Sequence, residues 1–216
     1  MNSVDLLQQE LRYLRQQNEQ LVTRVDQLEH DALSGLWRRE PWEERAARLL
    51  AALPPCGVAV IVLDLDGFKQ VNDELGHATG DLLIRRAGSH LGAWTARYAG
   101  LAGRLGGDEF VVAAALTTRT LRGALRSLHA ALTAPAMHDT PTGSRLLRVG
   151  ASIGAVHTTD HPHTALSTLM RRADEAMYEA KRAGGGWRIA GLSHLPHATC
   201  NGRRAGRSGT TTAAAS

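Results

Sequence analysis

The sequence predicts an α/β fold, a mixed sheet with helices packed over it, and three observations carry that prediction. Residues 58–63 form an apolar, β-branched run between Gly57 and Asp64, with the length and composition of a strand buried on both faces. Leu121, Leu125, Leu128 and Leu132 recur at helical spacing, as do Leu166, Leu169, Met170, Ala173 and Met177 further on. Between the first strand and those helices, Arg104-Leu105-Gly106-Gly107-Asp108-Glu109-Phe110 sets a glycine pair and two adjacent acids ahead of the apolar run 110–116. Consecutive glycines supply backbone angles that other residues resist, so this stretch reads as a tight turn feeding a strand. The change of period along the chain gives the order helix, strand, helix, hairpin, helix, strand, helix, strand.

Taken in order, residues 4–28 carry a heptad seam. Val4, Leu11, Asn18 and Val25 fall at one core position, and Leu7, Leu14, Leu21 and Leu28 at the other. Leucine at every second position, valine at two of the first and a single buried Asn form the pattern of a parallel two-stranded coiled coil. A homodimer through 4–28 is the expectation; the competing reading packs the same helix back on its own domain. A short connector with Gly35 follows, then a helix over 41–53 stopped by Pro54-Pro55. After the strand at 58–63, Asp64 and Asp66 lie at i and i+2, on one face if the strand persists. Residues 72–81 read as a shaped loop, and 79–94 as a helix in which Asp81 would serve equally as a first-turn acid.

The hairpin spans 101–116, a helix 118–133, a strand 144–156 and a second strong helix 164–183, with Lys181 near its end. Gly184-Gly185-Gly186 stops that helix, 187–190 is a short last strand, and 191–216 reads as a disordered tail. The domains expected are therefore a dimerisation helix over 1–30, a globular domain over 31–190 and the tail.

Composition narrows the function classes. With 216 residues, 43% hydrophobic and 21% charged, the chain suits one globular domain with appendages. Its two cysteines, Cys56 and Cys200, are too few for a disulfide framework. The longest apolar run falls far short of a membrane span, and acids come too early for a signal peptide. A soluble, cytoplasmic protein with no membrane partner is the expectation. A net charge of +4, with only Arg203, Arg204 and Arg207 grouped, does not demand nucleic acid. His194, His197 and Cys200 are spaced like metal ligands but lack a fourth member. The glycines at 100–107 lead into a strand with no following Gly-Lys-Ser or Gly-Lys-Thr, which excludes a Walker loop and a dinucleotide fingerprint.

Asp108 and Glu109 repel each other unless a cation lies nearby, so metal-assisted chemistry on phosphates is the first functional thought. An ordinary solvated hairpin turn is the other reading of those residues alone. The acids at 64 and at 108–109 converge if their strands are neighbours.

Residues 106–110 spell Gly-Gly-Asp-Glu-Phe, which resembles the GGDEF signature of diguanylate cyclases, and the likeness extends further. Residues 31–39 resemble that family's opening motif. Residues 64–81 match its D-x-D-x-F-K-x-x-N-D-x-x-G-H-x-x-G-D run at each of those positions, and 173–184 match its closing A-D-x-A-x-Y-x-A-K-x-x-G. The resemblance implies a fold like the palm of nucleotide cyclases and polymerases, and the joining of two GTP molecules into cyclic di-GMP with loss of two pyrophosphates. It implies that Asp64, the Leu65 backbone carbonyl and Asp108 hold Mg²⁺ or Mn²⁺, with Glu109 close to the same ions. Asp108 would accept the proton, Lys69 would stabilise the transition state, and Asn72 and Asp81 would read guanine. His77 lies at a substrate-contact position, and Lys181 would help bind the triphosphate.

Three departures stand out. The family's Arg after the closing glycine is Gly185 here, which predicts weaker GTP binding. Its product-inhibition pattern R-x-x-D reads Arg97-Tyr98-Ala99-Gly100, which predicts weak or absent feedback. Trp37, Arg38 and Glu40 replace the usual P-N-x-R run. The alternative function is a catalytically silent dimeric GTP-binding or scaffold domain, and a regulatory protein acting on the coiled coil is the expected input.

Overall fold

The apolar run at 58–63 forms the middle of β2 (Ala59–Asp66), which lies inside a six-stranded sheet. The structure is a computed structural model and describes residues 3–52, 57–140 and 143–191, with side chains from residue 7 except those of 138–140 and 145. The expectations for Pro54-Pro55, both cysteines, Val4 of the seam and the tail lie outside these residues.

The strands are β1 (Trp37–Arg38), β2, β3 (Leu101–Gly106), β4 (Glu109–Ala114), β7 (Gly150–His157) and β8 (Gly186–Ile189), in spatial order β1-β3-β4-β2-β7-β8. β2 runs antiparallel to both neighbours, with Asp64 opposite Glu109 on β4 and opposite Ser152 on β7. Period-two alternation splits its side chains between two cores. Ile61, Leu63 and Leu65 face α4 (His77–Arg97) and α5 (Thr118–Thr133), while Val60 and Val62 face α2 (Arg39–Ala52) and α6 (Leu166–Arg182). The fully buried Val, Ile and Leu of β2 explain why it reads as an unbroken apolar run.

Three expectations change. Residues 72–81 are not a loop: α3 (Phe68–Leu75) leads directly into α4, and the chain turns at Gly76, φ +83°. The polar run Asn72-Asp73-Glu74 hid a helix whose Phe68 and Val71 pack on the core. The single strand expected over 144–156 is two, β6 (Gly143–Leu147) and β7, and β6 pairs with β5 (Ala136–Thr140) in a separate two-stranded hairpin. Residues 37–38, for which no strand is expected, pair in parallel with β3 as β1.

The N-terminal helix α1 (Ser3–Glu29) has 27 residues. Its described leucines and valines are exposed, Leu14 at 56% and Leu21 at 60%. Its end is anchored. Glu29 pairs with Arg45 at 2.9 Å, the Arg45 guanidinium lies 3.8 Å from the centre of the Trp37 ring, and Trp37 packs on His30.

α6 lies unusually close to the sheet because β7 offers it Gly154. A Cβ there would overlap the Ala173 carbonyl oxygen and the Met177 backbone nitrogen. Neither is a flexible side-chain tip, so Gly154→Ala is expected to cost about 3 kcal/mol, near 10 °C in Tm. A thermal melt within 3 °C of the parent would contradict this close packing.

Candidate active site

The site forms where β2 runs out beside the turn between β3 and β4. Gly106, φ +147°, and Gly107, φ +53°, take backbone angles that side-chain-bearing residues resist, which lets Gly107 and Asp108 form a two-residue loop with Glu109 opening β4. The Leu65 N–H donates to the Asp108 carbonyl at 3.3 Å, fixing the turn against the end of β2. The N–H and C=O of one strand residue leave by the same edge, so the Leu65 carbonyl also faces the turn. Alternation puts Asp64 and Glu109 on the α6 face. There Lys181 Nζ reaches Asp64 Oδ1 at 2.6 Å, although 117 residues separate the two in the chain.

Electrostatics follow from this convergence. Burial pushes the Asp108 carboxyl above its ordinary range, and the neighbouring Asp64 pushes it further. Glu109 is raised by burial and by Asp64, Asp108 and Asp174, and Asp174 by burial, Glu175 and Asp64. Acids held in this way favour protonation when the chain is folded. Their contribution to stability is full below the unfolded pKa and is lost as pH rises through the raised folded one. Asp108→Asn removes one of these charges, so Tm is expected to rise by about 1–3 °C at pH 8, the gain vanishing near pH 4. A Tm that falls equally at both pH values would refute that sign.

A divalent cation fits here. Among the described residues no three His, Cys, Asp or Glu side chains form a metal cage by themselves. Magnesium suits such a place, because it takes one or two carboxylates and fills its remaining positions with water and substrate phosphates. The Lys181 ammonium already occupies a cation's position against Asp64.

Arg104 holds the turn, a role the sequence did not reveal. Its Nε and Nη2 donate to the Gly107 carbonyl at 3.0 and 2.7 Å, and its Nη1 to Asp31 Oδ1 at 2.9 Å. Burial alone would raise the Asp31 carboxyl. Hydrogen bonds from the Ser34 side chain and backbone and from Arg104 outweigh it and hold the group below its usual range. Asp174 was also missed as a member of the acidic group. Its only sequence signal is its place beside Ala173 in the closing motif.

The remaining candidates sit around this centre. Asn72 on α3 lies against Gly80, the residue before Asp81, in the first turn of α4, where a Cβ would overlap its Oδ1. The Asn72 Oδ1 is buried with no hydrogen-bond partner among the described residues. His77 opens α4 and is exposed. Lys69 is exposed on the first turn of α3, and no hydrogen bond or ion pair among the described residues engages it.

Gly185 has φ +100°, and a Cβ there would lie 3.0 Å from Asp66 Oδ2, which is held by the hydrogen bond from Ser152 Oγ to Asp66 Oδ1. Gly185→Arg therefore carries about 1–2 kcal/mol of backbone strain, and a Tm drop of a few degrees is expected whatever it does for GTP. An unchanged Tm would show that the turn relaxes freely.

The model of the diguanylate cyclase GGDEF domain matches residues 28–186. The chain is 38% identical over 162 residues to a 19.3 kDa protein of Streptomyces ambofaciens, covering 74% of this chain and 82% of that one. It is 37% identical over 174 residues to the diguanylate cyclase TpbB of Pseudomonas aeruginosa, covering 77% of this chain and 38% of TpbB. Many of its curated relatives are thus longer proteins, of which it spans a half or less. Among solved structures, the coiled coil and GGDEF domain of DgcB from Caulobacter crescentus, in complex with c-di-GMP, superimposes with a TM-score of 0.77 at 26% identity. That match covers 88% of this chain and all of that one. With the signature turn, the acid-bearing strand and the closing helix in one place, and the family model spanning most of its length, the chain belongs to the GGDEF-domain diguanylate cyclases.

Proposed function

We propose that the chain condenses two GTP molecules into cyclic di-GMP and two pyrophosphates, acting as one half of a homodimer joined through α1. The observation that carries this reading is the meeting of Asp64, Asp108 and Glu109 opposite Lys181 at the end of β2. Mg²⁺ or Mn²⁺ would be held by Asp64, the Leu65 carbonyl and Asp108, with Glu109 adjacent. When bound it lowers the pKa of the attacking 3′-hydroxyl and offsets charge on the phosphoryl oxygens.

This chain's own residues do the rest. Asp108, at the turn beside Asp64, takes the proton of the 3′-hydroxyl. Lys69 reaches the phosphoryl group as charge builds on it. Lys181 exchanges its bond to Asp64 for the triphosphate. Asp81 accepts from guanine N1 and N2 while Asn72 contacts the base, and His77 contacts the substrate at the mouth of the site. Adenine would leave the Asp81 charge unpaired, a penalty of roughly 1–3 kcal/mol.

Each site of this kind holds half of the product, so two must face one another, and a coiled coil through α1 raises their effective concentration. A regulatory protein acting on α1 is the input that suits this arrangement. Feedback by product is weak or absent. At Gly100 a Cβ would lie 2.7 Å from the Ala113 carbonyl oxygen and 2.9 Å from Ala114 Cβ, so the backbone leaves no room for an acid in the R-x-x-D position. Among the described residues no helix is long and apolar enough to cross a membrane.

The test is incubation of the purified chain with GTP and Mg²⁺, followed by chromatography for cyclic di-GMP and pyrophosphate. GTP bound but not turned over, by a chain shown to be dimeric, would instead favour the silent GTP-binding domain. The glycine at 185 is the feature that gives that reading weight.

A further inference from the structure

Helix α5 carries no acid. Its sequence TRTLRGALRSLHAALT buries Leu121, Ala124, Leu125, Leu128 and Leu132, and leaves Arg119, Arg122 and Arg126 exposed with His129 half-buried beside them. Spacings of three, four and three residues set these four along one stripe, where like charges repel by a few tenths of a kcal/mol per pair. No acid on the helix offsets that repulsion. Among the described residues the three arginines make no hydrogen bond or ion pair.

Beside the stripe runs β8, whose four residues Gly-Trp-Arg-Ile also include no acid. Arg122, His129, Gly186, Trp187, Arg188 and Ile189 together line a groove of about 480 Å³. The volume is that of a small-ligand site. Its chemistry is of two kinds. Trp187 and Ile189 give it an apolar, aromatic surface, while Arg122 on α5 and Arg188 on β8 line it from two different elements. Among the described residues Arg188 bonds the adjacent Trp187 carbonyl alone, at 3.0 Å. Guanidinium forks match phosphate oxygens, and an indole face suits a heterocyclic base.

We infer that this groove binds a nucleotide, a phosphate-bearing ligand with an aromatic base, at a place separate from the acidic end of β2. The two places differ in element and in charge. The acids gather at the β2–β4 end on the α6 face, whereas the groove lies between α5 and the edge strand β8, two strands from β2.

The experiment is calorimetric titration of the full chain with ADP in the absence of divalent metal, ADP being chosen because its base lacks the donors that Asp81 would read. Binding of one ADP per chain is expected. Arg122→Ala and Arg188→Ala, both at exposed positions and checked for fold by circular dichroism, should each weaken it at least about tenfold. Asp81→Asn should leave it unchanged. Inorganic pyrophosphate, titrated alongside, should bind more weakly because it has no base. The inference is overturned if ADP does not bind at millimolar concentration, if either arginine variant binds it as the parent does, if Asp81→Asn abolishes binding, or if pyrophosphate binds as tightly.

Discussion

Asp64→Asn is expected to lower the rate of cyclic di-GMP formation about a thousandfold or more while leaving the fold intact. The substitution keeps the side chain's size and removes its charge, so its effect falls on electrostatics. Three losses coincide. The carboxylate proposed to hold the cation disappears, in a setting where such stabilisation is commonly the largest single contribution to catalysis. Lys181 loses its 2.6 Å partner and the position that pair gives it. Asp108 loses the neighbouring charge that, after burial, raises its carboxyl, which upsets the balance of charge at the site. Stability moves little, because the lost ion pair is offset by relief of repulsion with Asp108 and Glu109. Steady-state rates, with a thermal melt as control, decide the matter. A rate within tenfold of the parent would remove Asp64 from the chemistry.

The second large effect concerns α1. Replacing Leu14 and Leu21 together with Asp is expected to convert a dimer to a monomer in sedimentation, and to cut the specific activity at micromolar protein about a hundredfold. Both leucines stand more than half exposed on the single chain, so neither supports its own fold. Burying such a side chain against a partner contributes about 1.5–3 kcal/mol, and placing a charge in the seam reverses that gain. The residual activity should rise with the square of protein concentration, as a bimolecular encounter requires. A monomeric variant of full activity would refute the two-subunit mechanism.

Much of this was legible in the residues because the relevant signals are local. The apolar run of β2, the leucine spacing of α5 and the glycine pair before Asp108 each fix their own conformation, and the structure agrees at each. The helix α3 was hidden because its apolar contacts, Phe68 and Val71, are few and its remaining surface is as polar as a loop. The division of β6 from β7 was hidden because both halves are strand-like, and only tertiary packing decides that β6 turns away to pair with β5. In the site, Asp64 and the turn acids could be foreseen from their motifs. The Arg104 clamp could not, because its partner Asp31 lies 73 residues away, and no local pattern marks a long-range ion pair.

That clamp gives the N-terminal helix a mechanical meaning. From the last turn of α1 the chain passes to Asp31, Asp31 grips Arg104, and Arg104 grips the peptide at Gly107. A helix advances about 100° per residue. One amino acid inserted before residue 29 would therefore swing the leucine stripe a quarter-turn out of phase with the acidic turn, whereas an insertion of seven would restore the phase. Spacing along this rod, as much as the identity of its leucines, would thus set which way two proposed subunits face.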